Sequence, residues 1–156
     1  MDSTTPPYQR ELLERSDTRE ILLMRWRPGA SSAAHDHGRA RGRVFVVSGT
    51  VEERVVVEGA DGLVITTVRR ASAPAILEVE PGVVHVMHAV DAALTLHVYE
   101  PPIERMRIWD PERREVLEVD DEHGAWQPEA DRVLARMAWA RDEAGHRESE
   151  GLLDKR

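Results

Sequence analysis

Residues 29–49 read GASSAAHDHGRARGRVFVVSG and place His35 and His37 two positions apart, shortly before the apolar run at 44–47. If this segment is extended, side chains repeat every second residue, so both imidazoles lie on the same face. Two converging imidazoles can chelate a metal ion, and neutral imidazole suits Zn, Cu, Fe and Ni. A His-x-His pair also arises by chance on protein surfaces, so the pair alone leaves a metal site and a surface pair as alternatives.

The composition limits the class of protein. A chain of 156 residues with 41% hydrophobic and 32% charged residues is typical of one soluble globular domain. The net charge of −8 argues against general nucleic-acid binding, which needs a basic surface. Cysteine is absent, no apolar run reaches the length of a membrane span, and the first residues lack a signal-peptide layout. We therefore expect a cytoplasmic protein with no membrane and no nucleic-acid partner.

Short apolar segments separated by turn residues run through most of the chain. Candidate strands cover residues 20–27, 44–48, 51–58, 63–70, 75–80, 83–90, 94–100, 103–109 and 115–119, and residues 8–13 fit a strand or a helical turn. Turn signals such as Pro81-Gly82 separate them. This spacing predicts an all-β antiparallel sandwich or barrel.

The two ends of the chain depart from the strand pattern. Residues 1–7 are polar and predict a flexible N-terminal arm before a barrel domain at 8–120. Within a C-terminal extension at 121–145, apolar residues follow helical spacing after a proline, which predicts one α-helix over roughly 129–144. Its apolar side is expected to pack on the barrel or on a partner. The charged residues 146–156 predict a disordered tail.

A second group of polar residues changes the balance between the two interpretations of the histidine pair. In one predicted strand His85 faces opposite to His88, and in the next strand Thr95, His97 and Tyr99 share one face. A closed barrel points one face of every strand into its interior. Polar side chains there need partners or a purpose. We interpret these inward positions as a site and His88 as structural.

Both groups resemble the motifs of the cupin superfamily. The first motif is matched by Gly29, His35, His37, Gly42 and Gly49, and the second by residues 81–85, PGVVH, with Ala89 four residues on. A glutamate usually stands at the place of Gly42, and an asparagine at the place of Ala89. The resemblance implies a cupin-type antiparallel β-barrel, a double-stranded β-helix or jelly roll, here with one C-terminal α-helix. Without the glutamate, the implied metal ligands are His35, His37 and His85.

Three further matches are similar to the cysteine dioxygenase type I (thiol dioxygenase) branch of the cupins, over roughly residues 8–120. They are Tyr8-x-Arg10, Trp26-x-x-Gly29 and residues 94–102, LTLHVYEPP. The resemblance implies a non-haem enzyme that adds both atoms of O2 to the sulfur of a small thiol, giving a sulfinic acid. Its cofactor is a mononuclear Fe(II) with three open positions, for a thiolate, an amine and O2. L-Cysteine is the first candidate substrate.

The same resemblance assigns roles to the remaining site residues. Arg10 is expected to hold the substrate carboxylate through a bidentate pair, with Tyr8 in support. Tyr99, oriented by His97 and Thr95, is expected to donate a hydrogen bond to bound oxygen or to the carboxylate. This trio resembles the family's Ser-His-Tyr relay with threonine in the serine position. Some relatives crosslink the tyrosine to a cysteine, which this chain lacks, so Tyr99 is expected to be unmodified.

Several alternatives stay open at this point. The histidines could hold zinc or nickel for another cupin reaction, Arg10 could form a surface ion pair, and His97 could be one half of a buried core pair. His123 and Trp26 are interpreted as a surface residue and a packing residue. The whole chain could be a non-catalytic cupin that binds a metal or a small carboxylate. It could also oxidise 3-mercaptopropionate or another small thiol, although an arginine at position 10 favours the amino acid. A monomer or homodimer is expected.

Overall fold

The structure is a computed structural model that describes residues 5–140. Strands account for nearly all of its regular structure. They are β1 (Tyr8–Arg15), β2 (Glu20–Trp26), β3 (Arg41–Ser48), β4 (Thr50–Glu58), β5 (Leu63–Ser72), β6 (Ala75–Val79), β7 (His85–Ala89), β8 (Ala93–Glu100), β9 (Arg105–Asp110), β10 (Glu115–Asp120) and β11 (Ala135–Ala138). A single 3-10 turn, Ala130–Arg132, lies between β10 and β11. The predicted strands are therefore present within a residue or a few of their expected bounds.

The strands form two layers that enclose the core. One layer has the order β1-β2-β8-β3-β6, and the other contains the groups β5-β4-β7 and β11-β10-β9. All of the paired strands are antiparallel. The segment around His35 connects the two groups of the second layer, because His35 bridges His85 on β7 and Ile108 on β9. The predicted all-β antiparallel barrel is confirmed.

Alternation along β2 and β8 explains which side chains face the interior. On β2, Leu22, Met24 and Trp26 are at most 5% exposed, whereas Arg25 between them is exposed. On β8, Thr95 and His97 are buried on the corresponding inward face. Each large apolar side chain buried in this way stabilises the barrel by about 1.5–3 kcal/mol. The core therefore continues directly into the polar positions that the sequence singled out.

The predicted C-terminal helix is wrong over residues 129–139. Residues 135–138 form β11, which pairs antiparallel with β10. The ring of Trp139 is fully buried, with the Arg114 guanidinium 4.6 Å from its centroid. An exposed edge of β10 offers backbone partners that a helix would leave unpaired, and this tertiary pairing outweighs the helical spacing of apolar residues. Residues 141–144 of the predicted helix and the predicted tail at 146–156 lie outside the described residues.

The proposed division of the chain at residues 7 and 120 stays a prediction. Residues 1–4 of the predicted arm lie outside the described residues, and the Arg27 side chain donates to the Pro6 carbonyl at 2.6 Å. Within residues 5–140, no helix has the length and apolar character needed to cross a bilayer.

Candidate metal centre

Three histidines meet inside the barrel. His35 and His85 are neighbours because their backbones pair, with the His35 N–H donating to the His85 carbonyl at 3.0 Å and the reverse bond at 2.9 Å. His37 follows two residues later, and all three side chains are at most 4% exposed. One ligand nitrogen from each lies within 4.8 Å of the others. The chain therefore brings together the three residues that the sequence predicted as ligands.

Asp36 lies between His35 and His37, and its side chain holds this segment in place. Its fully buried carboxylate accepts hydrogen bonds from the Arg107 backbone N–H at 3.1 Å and from the Arg107 Nε at 2.9 Å. Because Arg107 belongs to β9, this pair ties the ligand loop to the second layer of the barrel. His35 and His37 converge on one point, as expected, although this segment forms only an isolated bridge at His35 and no strand.

The hydrogen bonds of His35 and His85 determine which nitrogens are free. His35 Nδ1 lies 2.8 Å from the Ala33 carbonyl oxygen, and His85 Nδ1 lies 2.9 Å from Glu53 Oε2. A carbonyl and a carboxylate only accept, so both Nδ1 atoms carry the proton and both Nε2 atoms carry a lone pair. These two Nε2 atoms lie only 3.1 Å apart.

Two lone pairs at that distance repel each other unless a proton or a metal ion lies between them. Metal–nitrogen bonds of about 2.0–2.1 Å place two ligands of one ion roughly 3 Å apart, which matches the observed separation. Burial, followed by the neighbouring imidazoles, lowers the pKa of His35 and of His37 well below the ordinary value. Neutral imidazoles are the form that binds metal. The donor set therefore fits a metal ion.

A buried carboxylate supports His85 from behind. Glu53 on β4 is fully buried, and its Oε1 accepts from the Arg69 side chain at 2.6 and 2.8 Å. Burial raises the pKa of Glu53, but the hydrogen bonds and charges of His85 and Arg69 outweigh it, so the net pKa is lowered. A carboxylate that accepts the Nδ1 proton of a metal-binding histidine orients the ring and strengthens it as a ligand. The sequence analysis did not identify Glu53. Its position two residues after the apolar Val51 in a predicted strand was a signal that both side chains face the interior.

A chain of hydrogen bonds leads from Trp26 to Tyr99, both of which line the cavity. Trp26 Nε1 donates to Thr95 Oγ1 at 2.9 Å, Thr95 Oγ1 lies 2.7 Å from His97 Nε2, and His97 Nδ1 lies 3.1 Å from the Tyr99 oxygen. Indole N–H only donates, so the Thr95 hydroxyl accepts from Trp26 and gives its own proton to His97. The reverse direction would leave the buried Thr95 proton without an acceptor among the described residues. His97 therefore donates to Tyr99.

This direction leaves the Tyr99 O–H free to donate into the cavity. Burial lowers the pKa of His97 to about 3, so its ring is neutral at neutral pH. Burial, and then the charges of Tyr8 and Glu20, raise the pKa of Tyr99 above its ordinary value, so the phenol keeps its proton. The Tyr99 ring centroid lies 4.7 Å from that of His37. Trp26, predicted as a packing residue, is thus also the hydrogen-bond donor at the start of this chain.

Gly42 lies against the Tyr99 ring. A Cβ atom at position 42 would lie 3.1 Å from Cε1 of Tyr99, which is tighter than ordinary contact. The absence of a side chain at this position therefore gives the ring its room beside His37. Residue 42 therefore lies directly beside the tyrosine ring.

The space between these groups is a small cavity of about 30 Å³ that opens partly to solvent. Its lining includes the three histidine ligands, His97, Tyr99, Tyr8, Arg10, Glu20 and residues 121 and 123–125. The Arg10 guanidinium donates to the backbone carbonyls of Asp121 at 2.7 Å and Glu122 at 3.3 Å. Arg10 thus lies at the cavity, as predicted for a substrate-binding residue, and not in a surface ion pair.

The segment 121–125 closes one side of the cavity, although sequence reasoning assigned it to the extension outside the site. The Ala125 N–H donates to the Tyr8 oxygen at 2.8 Å, which leaves the Tyr8 proton available. Burial raises the pKa of Tyr8 to about 12. The interpretation of His123 as a surface residue is wrong, because His123 is 7% exposed and lines the cavity. A ring contact between His123 and Trp126, with centroids 4.7 Å apart, holds it there.

Comparison with known proteins places these observations in a family. The family model for cysteine dioxygenase type I matches residues 5–112. Among solved structures, the chain is similar to KdgF from Halomonas sp., with a TM-score of 0.52 and 21% identity over 63% of this chain and 83% of that one. An RmlC-like cupin from Shewanella frigidimarina gives a TM-score of 0.52 and 17% identity over 63% and 79%. An RmlC-like cupin from Desulfovibrio desulfuricans gives 0.52 and 23% over 62% and 84%. At these identities the structural likeness concerns the fold alone, and that fold is a cupin barrel.

Proposed function

Since the chain belongs to the cysteine dioxygenase type I family, we propose that it is an iron-dependent thiol dioxygenase that oxidises a small thiol, L-cysteine first among the candidates. The reaction is balanced without a further reductant, because one thiol and one O2 give one sulfinic acid with both oxygen atoms on sulfur.

His35, His37 and His85 are the residues that hold the iron in this proposal. An iron ion held by these residues would supply positions for the thiolate and O2 and would lower the pKa of the thiol. The chain's own contribution is to keep the three imidazoles buried and directed at one point. The proposal rests on one observation above all: the bare Nε2 atoms of His35 and His85 face each other at 3.1 Å in the cavity that Arg10 and Tyr99 also line.

Arg10 binds the substrate carboxylate. Its guanidinium has five N–H donors, and the carbonyls of Asp121 and Glu122 use two of them, so donors remain for a ligand in the cavity. Those carbonyl bonds also hold the side chain in place before a substrate arrives. A planar guanidinium with a fixed orientation suits bidentate carboxylate recognition better than a lysine would.

Tyr99 holds a proton at the reacting end of the substrate. Its oxygen accepts from His97, so its own O–H is free to donate to a group in the cavity, the substrate carboxylate or O2. Because His97 is neutral and receives the Thr95 proton, the relay delivers a directed hydrogen bond rather than a positive charge. The raised pKa of Tyr99 keeps the phenol protonated at neutral pH.

In this proposal the protein acts on a small molecule and O2. It is a cytoplasmic monomer or homodimer without nucleic-acid or membrane partners.

The test is oxygen consumption by protein loaded with Fe(II) under nitrogen and then given L-cysteine, 3-mercaptopropionate or cysteamine in air. We expect uptake of one O2 per sulfinate formed, with both product oxygens derived from isotopically labelled O2. His85→Ala should lose metal and activity together. His88→Ala is the matched control, because His88 faces away from the cavity and its Nδ1 bonds Ser31 Oγ at 2.7 Å.

Three results contradict the proposal. They are the absence of uptake with every thiol, a sulfinate oxygen that comes from water, and His85→Ala protein with the iron content of the wild type. The first of these, with metal still bound, would instead favour a non-catalytic cupin.

A further inference from the structure

A buried carboxylate with an unused oxygen lines the cavity beside the relay. Glu20 is the first residue of β2, is 1% exposed, and lies directly opposite Tyr99 in the register of β2 with β8. Its Oε2 accepts a hydrogen bond from Arg15. Its Oε1 is buried and has no hydrogen-bond partner among residues 5–140. No motif drew attention to Glu20, and the function proposed above does not use it.

An unpaired carboxylate oxygen in a buried site is unfavourable unless something binds there. Buried polar atoms are nearly always hydrogen-bonded, and leaving an acceptor without a donor destabilises the protein. Arg15 already serves the other oxygen of Glu20 and also lies 3.2 Å from the Asp121 carboxylate. A ligand that brings an N–H or O–H donor into the cavity would supply the partner that Oε1 lacks.

The charges around the cavity indicate the chemistry of that ligand. Among the described residues that line it, Arg10 is the only arginine or lysine, whereas Glu20 and Asp121 both carry carboxylates. Arg15 offsets one of these two negative charges, so a ligand with a carboxylate alone gains from Arg10 but leaves Glu20 Oε1 without a partner. A ligand with a carboxylate and an N–H donor satisfies Arg10 and Glu20 together.

Resting on the proposed function, we propose that Glu20 Oε1 accepts a hydrogen bond from the amino group of the substrate and so selects thiols that carry both an amino group and a carboxylate. Glu20 is then a specificity-determining residue, and it favours L-cysteine over 3-mercaptopropionate, which lacks the amino group, and over cysteamine, which lacks the carboxylate. The same N–H contact is available to an amine that is protonated and to one that binds the metal through its lone pair.

The experiment compares selectivity in the iron-loaded full-length chain. For wild type and Glu20→Gln, kcat/KM is measured with L-cysteine and with 3-mercaptopropionate. The substitution keeps the size of the side chain and removes its charge. Because a hydrogen bond to a charged acceptor is worth about tenfold to a hundredfold in binding, we expect the L-cysteine to 3-mercaptopropionate ratio to fall by about tenfold or more. The substrate without an amino group serves as the internal control for any general damage.

Arg15→Gln separates recognition from the Arg15–Glu20 ion pair, since it breaks that pair but keeps the carboxylate. We expect it to keep the preference for L-cysteine. If Glu20→Gln does not fold, Glu20→Asp retains the charge at a shorter reach and should lower the same ratio. A ratio within about twofold of wild type in a folded Glu20 variant, or an equal fall in Arg15→Gln, overturns the inference.

Equilibrium binding distinguishes this inference from the proposed function. Calorimetric titration of the iron-loaded protein under nitrogen measures the affinity for both thiols without turnover. If the wild type oxidises no thiol but binds L-cysteine with a preference that Glu20→Gln removes, the selectivity stands and the dioxygenase activity does not. If the wild type oxidises thiols and its preference is unchanged by Glu20→Gln, the activity stands and the role of Glu20 is refuted. No binding of either thiol refutes both.

Discussion

The two sides of the cavity differ in where they place charge. We call the residues His35, His37, His85 and Glu53 the metal wall, and Trp26, Thr95, His97 and Tyr99 the relay wall. The metal wall has a full negative charge directly behind one ligand, paired in turn with Arg69. The relay wall consists of neutral groups linked from an indole N–H to a phenol. A carboxylate that accepts from a metal-binding histidine strengthens metal binding. A series of hydrogen bonds between neutral groups instead orients a hydrogen-bond donor without adding charge to the reacting centre.

Lowering the pH should reduce the free energy of unfolding through histidines of both walls, and this is the largest effect that we expect. His35, His37 and His97 are buried and neutral with folded-state pKa values below the ordinary 6.5, about 3 for His97. Below pH 6.5 the unfolded chain binds protons that the folded chain does not, so stability is complete above that pH and falls as pH decreases towards the folded-state values. Each group contributes up to about 1.4 kcal/mol per pH unit, and the three together about 4.

Urea unfolding of metal-free protein at about pH 7.5 and about pH 5.5 measures this dependence. His97→Gln, which cannot titrate, should remove about a third of the slope and assign it to the relay wall. A free energy of unfolding that is the same at both values would show that these histidines are not buried neutral in solution.

Glu53→Gln should lower the affinity for metal and leave the relay wall unchanged. Glutamine keeps an oxygen that can accept from His85 Nδ1 but has no charge, and support of this kind is worth about 10–100-fold in metal affinity. We expect at least a tenfold loss, measured as competition between the protein and a chelator for Co(II) or Zn(II). Glu52→Gln is the matched control, because Glu52 lies next in the chain and pairs with Arg54 at 2.8 Å outside the site. Equal losses in the two variants would assign the effect to general destabilisation.

The sequence was sufficient for the parts of each wall that follow from alternation within one strand. His35 and His37, like His97 and Tyr99, are two residues apart, so a period of two places them on the same face without further information. The same two-residue period, together with the turn residues between apolar segments, also predicted where the strands lie. The resemblance to a family added the roles of Arg10 and Tyr8, which alternation alone does not supply.

Contacts that depend on pairing between distant strands could not be read in this way. Glu53 reaches His85 only because β4 pairs with β7, and Trp26 reaches Thr95 only because β2 pairs with β8. The segment 121–125 crosses the cavity for a similar reason, through bonds to Tyr8 and Arg10 on β1. The C-terminal strand was missed because helical spacing of apolar residues says nothing about an unpaired edge nearby.

Trp26→Phe should lower turnover through the relay wall alone, and this is the smallest effect that we expect. The substitution keeps an aromatic ring in the core and removes the N–H that fixes the direction of the Thr95 hydroxyl. A neutral hydrogen bond is worth about 1 kcal/mol, so we expect turnover to fall about fivefold, with little change in KM and none in metal affinity. Tyr99→Phe removes the donor itself and should lower turnover by roughly 10²-fold.

The double variant Trp26→Phe/Tyr99→Phe decides whether Trp26 acts through the relay. If Trp26 only directs the Tyr99 proton, its loss has no further consequence once that proton is gone, and the double variant should be as slow as Tyr99→Phe alone. If Trp26 only packs the core, the two effects should multiply. Steady-state oxygen uptake by the four proteins gives the coupling directly, and a multiplicative result would reduce the relay wall to Thr95, His97 and Tyr99.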